Sequence, residues 1–134
     1  SVSETDLIDL MYRRRAELEV GTVPHEVKSY LGCSRDTVFL TNYSLTHIFA
    51  QHGDHVSSRD LLSIPEVLMW GLWLSDKRRH NFAIVSCLVG EARYKAVVKT
   101  IEDRRSNYIS TFHRTAKRQT KSLLKRGKIL RKAW

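Results

Sequence analysis

Three of the chain's six histidines fall within twelve residues, in the segment SLTHIFAQHGDH at positions 44–55. Histidine takes up or releases a proton near neutral pH, so such a cluster could perform acid–base catalysis, bind a metal or simply pack. Leu45, Ile48 and Phe49 recur at helical spacing and predict the apolar face of a short helix. At about 100° per residue His52 follows that face, whereas His47 stands about 140° away from it. His52 is therefore the histidine best placed to meet a sheet, with His47 as second candidate and His55 in the loop beyond Gly53 and Asp54. His47 and His52 are five positions apart instead of the three or four that align two ligands, and no HExxH or paired cysteine supports them. Neither a metal nor another cofactor is expected.

A second group lies in SNYISTFHR, residues 106–114. Strand alternation puts Ile109, Thr111 and His113 on one face and Tyr108, Ser110 and Phe112 on the other. Thr111 and His113 then form a hydroxyl and imidazole pair one pleat apart, with Ser110 as the alternative hydroxyl. In the preceding run Lys95, Val97, Lys99 and Ile101 share a face, so Lys99 could stand beside that pair. Solvated strand faces also carry such residues without function, a reading that fits Lys95 better than His113 followed by Arg114.

Charge is distributed unevenly. Residues 1–103 hold twelve Lys and Arg against fourteen Asp and Glu, a formal charge of −2, and residues 104–134 hold eleven basic residues and no acidic one, giving the net +9. A block of this kind is the footprint of a polyanion partner, because each neutralised phosphate releases counterions. An anionic membrane surface is the competing partner. No apolar run approaches the ~20 residues that cross a bilayer, so stable membrane insertion is not expected. The opening SVSETDLIDLMYRRRAELEV lacks the basic-then-apolar order of a signal peptide. Cys33 and Cys87 are expected as reduced core thiols.

The elements that must position these groups read as α+β within a single domain, residues 1–134. Leu7, Leu10, Met11, Arg14 and Leu18 predict a first helix from Ser3 to Gly21. Thr37–Thr41 predicts a strand, with Asn42 and Ser44 as caps for the histidine helix. A second short helix is expected over Ser58–Met69, around Pro65, ending near Gly71. From Leu72 the runs LWLS, NFAIVSCLV, RYKAVVKTIED and SNYISTFHR, separated by turn-length connectors, predict a four- to five-stranded antiparallel meander. Ala116–Trp134 predicts a basic amphipathic helix with Ala116, Thr120, Leu123, Leu124, Gly127, Leu130 and Trp134 on its apolar face, weakened at Gly127.

The run VFLTNYSLTHIFAQHGDHVSSRDLLSIPEVLMWG resembles the strand, histidine helix and following segment of the phage-associated branch of the barnase/EndoU/colicin/RelE-like (BECR) nucleases. YKAVVKTIEDRRSNYISTFHRT resembles that branch's paired strands, which end in a Ser/Thr-bearing motif. The similarity covers residues 37–115. It implies a metal-independent ribonuclease toxin at the C-terminus of a larger secreted or cell-surface polymorphic or contact-dependent delivery protein. Such a toxin acts in the target-cell cytoplasm and is neutralised by a cognate immunity protein, expected here to be acidic. Many such relatives cut tRNA. The branch usually shows a basic residue and a proline around its helix histidine; here Gln51 precedes His52 and Gly53 follows it, so the matching histidine stays open.

Metal-free RNA cleavage needs a base for the ribose 2′-OH, an acid for the leaving 5′ oxygen, and donors for the phosphorane. The expected catalytic set is His52, His47, Thr111 and His113. Lys99, Ser110 and Arg114 are expected to hold phosphate, and Lys117, Arg118 and Lys121 to dock the RNA. Two alternatives need no catalysis: a nucleic-acid-binding module built on the basic helix, and an interaction domain whose basic helix meets an acidic protein or membrane. RNP-type aromatics, helix-turn-helix and zinc-finger spacings are absent from the sequence, which weakens the binding module.

Overall fold

Ser3 opens the first helix through a capping box: its hydroxyl accepts from the Asp6 N–H at 3.1 Å, and the Asp6 carboxylate accepts from the Ser3 N–H at 3.0 Å. In the computed structural model, which describes residues 2–101, 103 and 106–133, that helix is α1, Glu4–Met11. It does not run to Gly21. The chain turns at Arg13, which takes a left-handed conformation (φ 61°), and enters a strand, β1, Glu17–Thr22. Leu18, which fits a helical stripe with Leu7 and Leu10, also fits the two-residue alternation Glu17, Leu18, Glu19, Val20. The fold uses the alternation, burying Leu18 and Val20.

A helix with no counterpart in the sequence reading, α2, His25–Leu31, follows and stops at Gly32 with φ 70°. Strand β2, Thr37–Thr41, leads into the histidine helix α3, Asn42–His52. Its N-cap is Thr41, whose hydroxyl accepts from the Ser44 N–H; Asn42 instead donates to the Leu10 and Met11 carbonyls and closes the end of α1. The helix expected over Ser58–Met69 is two, α4, Ser58–Leu61, and α5, Ile64–Trp70. Pro65 starts the second, where its missing N–H is tolerated. After Gly71 come β3, Leu72–Ser75, β4, Phe82–Val89, β5, Ala92–Thr100, and β6, Asn107–Arg114. The basic helix α6 spans only Lys117–Arg126, because Gly127 ends it and Ile129–Arg131 forms a last strand, β7. Trp134, assigned to that helix's apolar face, and Arg104 and Arg105 of the β5–β6 connector lie outside the described residues.

The protein is α+β, but its sheet is larger than a meander. Among the described residues it has seven strands in the order β1-β2-β6-β5-β4-β3-β7. The expected antiparallel meander is β3 to β6; β1 and β2 extend it on one side and β7 on the other. The β2–β6 pair is parallel, Val38 opposite Asn107 and Phe39 opposite Tyr108. Asn107 secures this junction from a fully buried position. Its amide donates to the Arg35 and Thr37 carbonyls at 2.8 and 3.0 Å, and its oxygen accepts from the Thr100 hydroxyl at 2.7 Å. Each such bond contributes about 1 kcal/mol net, and removing the side chain would leave several buried groups unsatisfied.

One face of the sheet packs under the helices preceding β3. Trp73, Val85, Val98, Ile109 and Phe112 there meet Leu10, Val27, Ile48, Leu61 and Leu68. On the other face Leu74, Ile84 and Val97 are covered by Leu123 of α6, and the Thr120 and Ser86 hydroxyls hydrogen-bond at 3.0 Å. Cys33 and Cys87 are buried and unpaired. Among the described residues no helix is long and apolar enough to cross a membrane.

Strand β6 does not keep one alternation. Val97 pairs with Thr111 but Val98 pairs with Ile109, so Ser110 is an extra residue in a β-bulge. The phase flips there. Ile109 and Phe112 both face the helices, while Thr111 and His113 face α6, which corrects the expectation that Ile109, Thr111 and His113 share a face.

Candidate active site

His52 is the last residue of α3, which packs against β6; β2 pairs only with Asn107 and Tyr108 of that strand. His52 meets His113 there: the two rings stack with centroids 4.1 Å apart and planes at 26°. Gly53 caps this end of the helix, where a Cβ would stand 2.7 Å from the Phe49 carbonyl oxygen.

The returning loop is tied to β6 by Arg114. Its backbone N–H donates to the His55 carbonyl at 3.0 Å, and its side-chain Nε lies 3.4 Å from both that carbonyl and the Asp60 carboxylate. Asp60 also accepts from the Tyr94 hydroxyl at 2.6 Å and closes the capping box of Ser57. Burial works to raise the Asp60 carboxyl, but the bonds from Tyr94 and Ser57 and the Arg114 charge prevail and hold it below its ordinary value.

His113 Nδ1 lies 2.8 Å from the Arg114 carbonyl oxygen, which can only accept. Nδ1 therefore carries the proton, and the lone pair of the neutral ring is on Nε2. Burial lowers the pKa of His113, against the opposing effect of that hydrogen bond, with Lys95 and His55 adding to the lowering. His52 is lowered by burial first, then by His113, His47, His55 and Lys95. Two stacked imidazoles resist carrying two charges, so the pair favours at most one positive charge near neutrality.

These shifts predict a stability that falls with acid. In the unfolded chain both imidazoles protonate at about 6.5, whereas in the folded chain they do so only at lower pH. Below 6.5 the unfolded state thus binds more protons, and stability declines until the folded pair is itself protonated. Denaturant unfolding between pH 7.5 and 5 should show this loss, and His52→Gln/His113→Gln should flatten it. An equally steep loss in that variant would place its origin elsewhere.

The pair opens on a cleft of about 600 Å³ lined by His52, Asp54, His55, His113, Arg114, Thr115, Ala116 and Gln119. Of the residues singled out from sequence, His52, His113 and Arg114 meet here. His47 does not line the cleft; it stacks on Tyr43 at 6.5 Å. Thr111 lies on the right face, but its hydroxyl is buried, closed to solvent and, among the described residues, without a hydrogen bond. Ser110 is spent on the bulge. The Lys99 ammonium sits 5.5 Å from the Phe82 ring centre. Lys117, Arg118 and Lys121 are exposed on the side of α6 away from the cleft.

The hydroxyl that reaches the cleft is Thr115, bonded to Gln119, which also caps α6. Neither was singled out from sequence: alanine at the cap position offers no hydroxyl to complete a capping box, so nothing local marks Gln119. Among the described residues no group of three or more His, Cys, Asp or Glu is arranged to hold a metal ion. No family model matches this chain, and no curated protein or solved structure matches it.

Proposed function

We propose that this domain is an endoribonuclease that needs no metal and uses His52 and His113 as its acid–base pair. The observation that carries the reading is the 4.1 Å stack of two imidazoles at the mouth of an open cleft, beside Arg114 and Thr115. A neutral imidazole accepts the proton of the ribose 2′-OH as the 2′ oxygen bonds to phosphorus. The bond from phosphorus to the 5′ oxygen breaks, and a protonated imidazole supplies the proton that oxygen requires. The products are a 2′,3′-cyclic phosphate and a free 5′-hydroxyl. Arg114 contributes charge beside the phosphate.

The test is incubation of the purified protein with total RNA in EDTA, followed by sequencing of the new ends. Cyclic phosphate ends support the reading, with tRNA as the proposed substrate. Binding without cutting would leave a nucleic-acid-binding module.

The resemblance extends the proposal to a toxin, delivered as part of a larger secreted or cell-surface protein into a target-cell cytoplasm and neutralised there by an acidic immunity protein. A blocking protein gains most from the steepest positive field, over Arg104–Trp134 and the histidine helix. Its association should then be fast at low salt and slow as salt rises. Changing the exposed Lys117, Arg118, Lys121 and Lys125 to Gln should lower the association rate constant about tenfold or more at low salt and flatten its salt dependence. An unchanged, salt-insensitive association rate would move the partner to another surface.

A further inference from the structure

The His52–His113 cleft continues along α6. His113, Thr115 and Gln119 also line a narrower passage of about 160 Å³, whose other walls are Lys95, Ser122, Leu123 and Arg126. Lys95, Leu123 and Arg126 in turn line a cleft of about 530 Å³ that ends at the β3–β4 connection. The shared residues make one groove, with the sheet as floor and α6 as one wall. The groove side of α6 is Gln119, Ser122, Leu123 and Arg126, one helical face, and not the lysines that crowd its exposed side.

The far cleft combines two chemistries. Ile84, Val97 and Leu123 give it an apolar floor, and Lys77, Arg78, Arg79, Lys95 and Arg126 surround it with positive charge. Its one carboxylate among the described residues, Asp76, is engaged by Arg79 at 3.0 Å and by the Arg78 N–H at 2.9 Å. The Arg79 guanidinium also lies 3.8 Å over the Phe82 ring. Lys95 is half-buried, and among the described residues it makes no hydrogen bond or ion pair. Burial lowers its pKa, and Arg126 and Arg79 lower it further against the pull of Asp76. A half-buried ammonium that makes no ion pair among the described residues, with two guanidinium groups outweighing the pull of Asp76, is stabilised by a further anion that enters.

We infer that this far cleft is a second nucleotide subsite for single-stranded RNA, taking an unpaired base on Ile84, Val97 and Leu123 and the adjoining phosphate on Lys95 and Arg126. The inference rests on the reading of the histidine cleft as the place where RNA is cut. Its volume is that of a pocket for one small ligand. A duplex keeps its bases stacked inside and presents backbone, leaving the apolar floor without a partner, whereas a single strand can turn a base out onto it. A strand with its scissile phosphate at His113 reaches the subsite by passing Lys95.

The test uses the whole chain and single-stranded 2′-O-methyl RNA of three and eight nucleotides, which lacks the attacking hydroxyl and is not consumed. Fluorescence anisotropy across a salt series gives Kd for the parent, Arg126→Gln and Lys95→Gln. Each variant should bind the octamer about tenfold more weakly, the loss of one charge-assisted contact. The slope of log Kd against log salt should fall by ~0.7 for that contact. For Arg126→Gln, which lies farthest from the histidines, trimer binding should stay at the parent level.

Parent-like octamer binding by both variants, or trimer binding by Arg126→Gln weakened as much as its octamer binding, overturns the subsite. Competition by duplex RNA as strong as by single strand also overturns it. If the parent cuts no RNA but the octamer-specific loss appears, the subsite stands and the nuclease reading falls.

Discussion

Replacing either His52 or His113 by alanine is expected to slow RNA cleavage at least ~100-fold, the low end for removal of a general acid or base. RNA binding should persist, because neither ring supplies the charge that draws RNA in. The rings touch and share their titration, so the double variant should lose little more than the worse single one. His47→Ala should lose much less, since that ring stacks on Tyr43 outside the cleft. Single-turnover cleavage at saturating protein, with thermal unfolding as a control for folding, measures all four. An essential His47 beside dispensable His52 and His113 would show that the stacked pair is structural.

A substrate with 2′-deoxyribose at the scissile nucleotide should not be cut at all, and DNA should be inert. The proposed chemistry takes its nucleophile from the substrate: both cysteines are buried with their thiol pKa values raised by burial, and neither lines the cleft. Deleting the 2′-OH therefore removes the reacting atom, where deleting a histidine removes only its helper. Cutting of the 2′-deoxy substrate at a rate near that of RNA would end the mechanism while leaving the cleft and its charge in place.

What the sequence made legible is what local patterning encodes. The strand Thr37–Thr41, the histidine helix and the runs from Leu72 to Arg114 stand close to where alternation, helical spacing and turn residues put them. The misses are of two physical kinds. At Leu18 two periods fit the same residues, and the break that decides between them falls on Arg13, whose left-handed backbone no glycine announces.

Elsewhere long-range pairing decides. β7 exists because β3 offers it an edge, and the bulge at Ser110 exists because β5 sets the register. That bulge explains the partial view of the site. His113 and Thr111 were grouped with Ile109, a core residue, so the strand's facing could not be derived until its partner was known. His52 and His113 were each visible as candidates; their contact was not, being a matter of where α3 lands on β6. Lys95 looked like an ordinary solvated lysine, which only its neighbours contradict.

The parallel junction at Asn107 bears on how the protein is made. Its amide reaches carbonyls 72 and 70 positions earlier in the chain, and His52 waits for a partner 61 positions later (113 − 52). Contacts so distant in sequence raise the contact order, and their loop-closure entropy must be overcome before any of them is rewarded, so folding is expected to be slower than that of a helical bundle of this size. Residues 1–103 carry a net charge of −2 and hold His52 but neither His113 nor the basic block. On the proposed mechanism the two imidazoles become a pair only once β6 lies beside β2 and brings His113 to α3, so a domain cut short before β6 has half of its acid–base pair and none of its basic block.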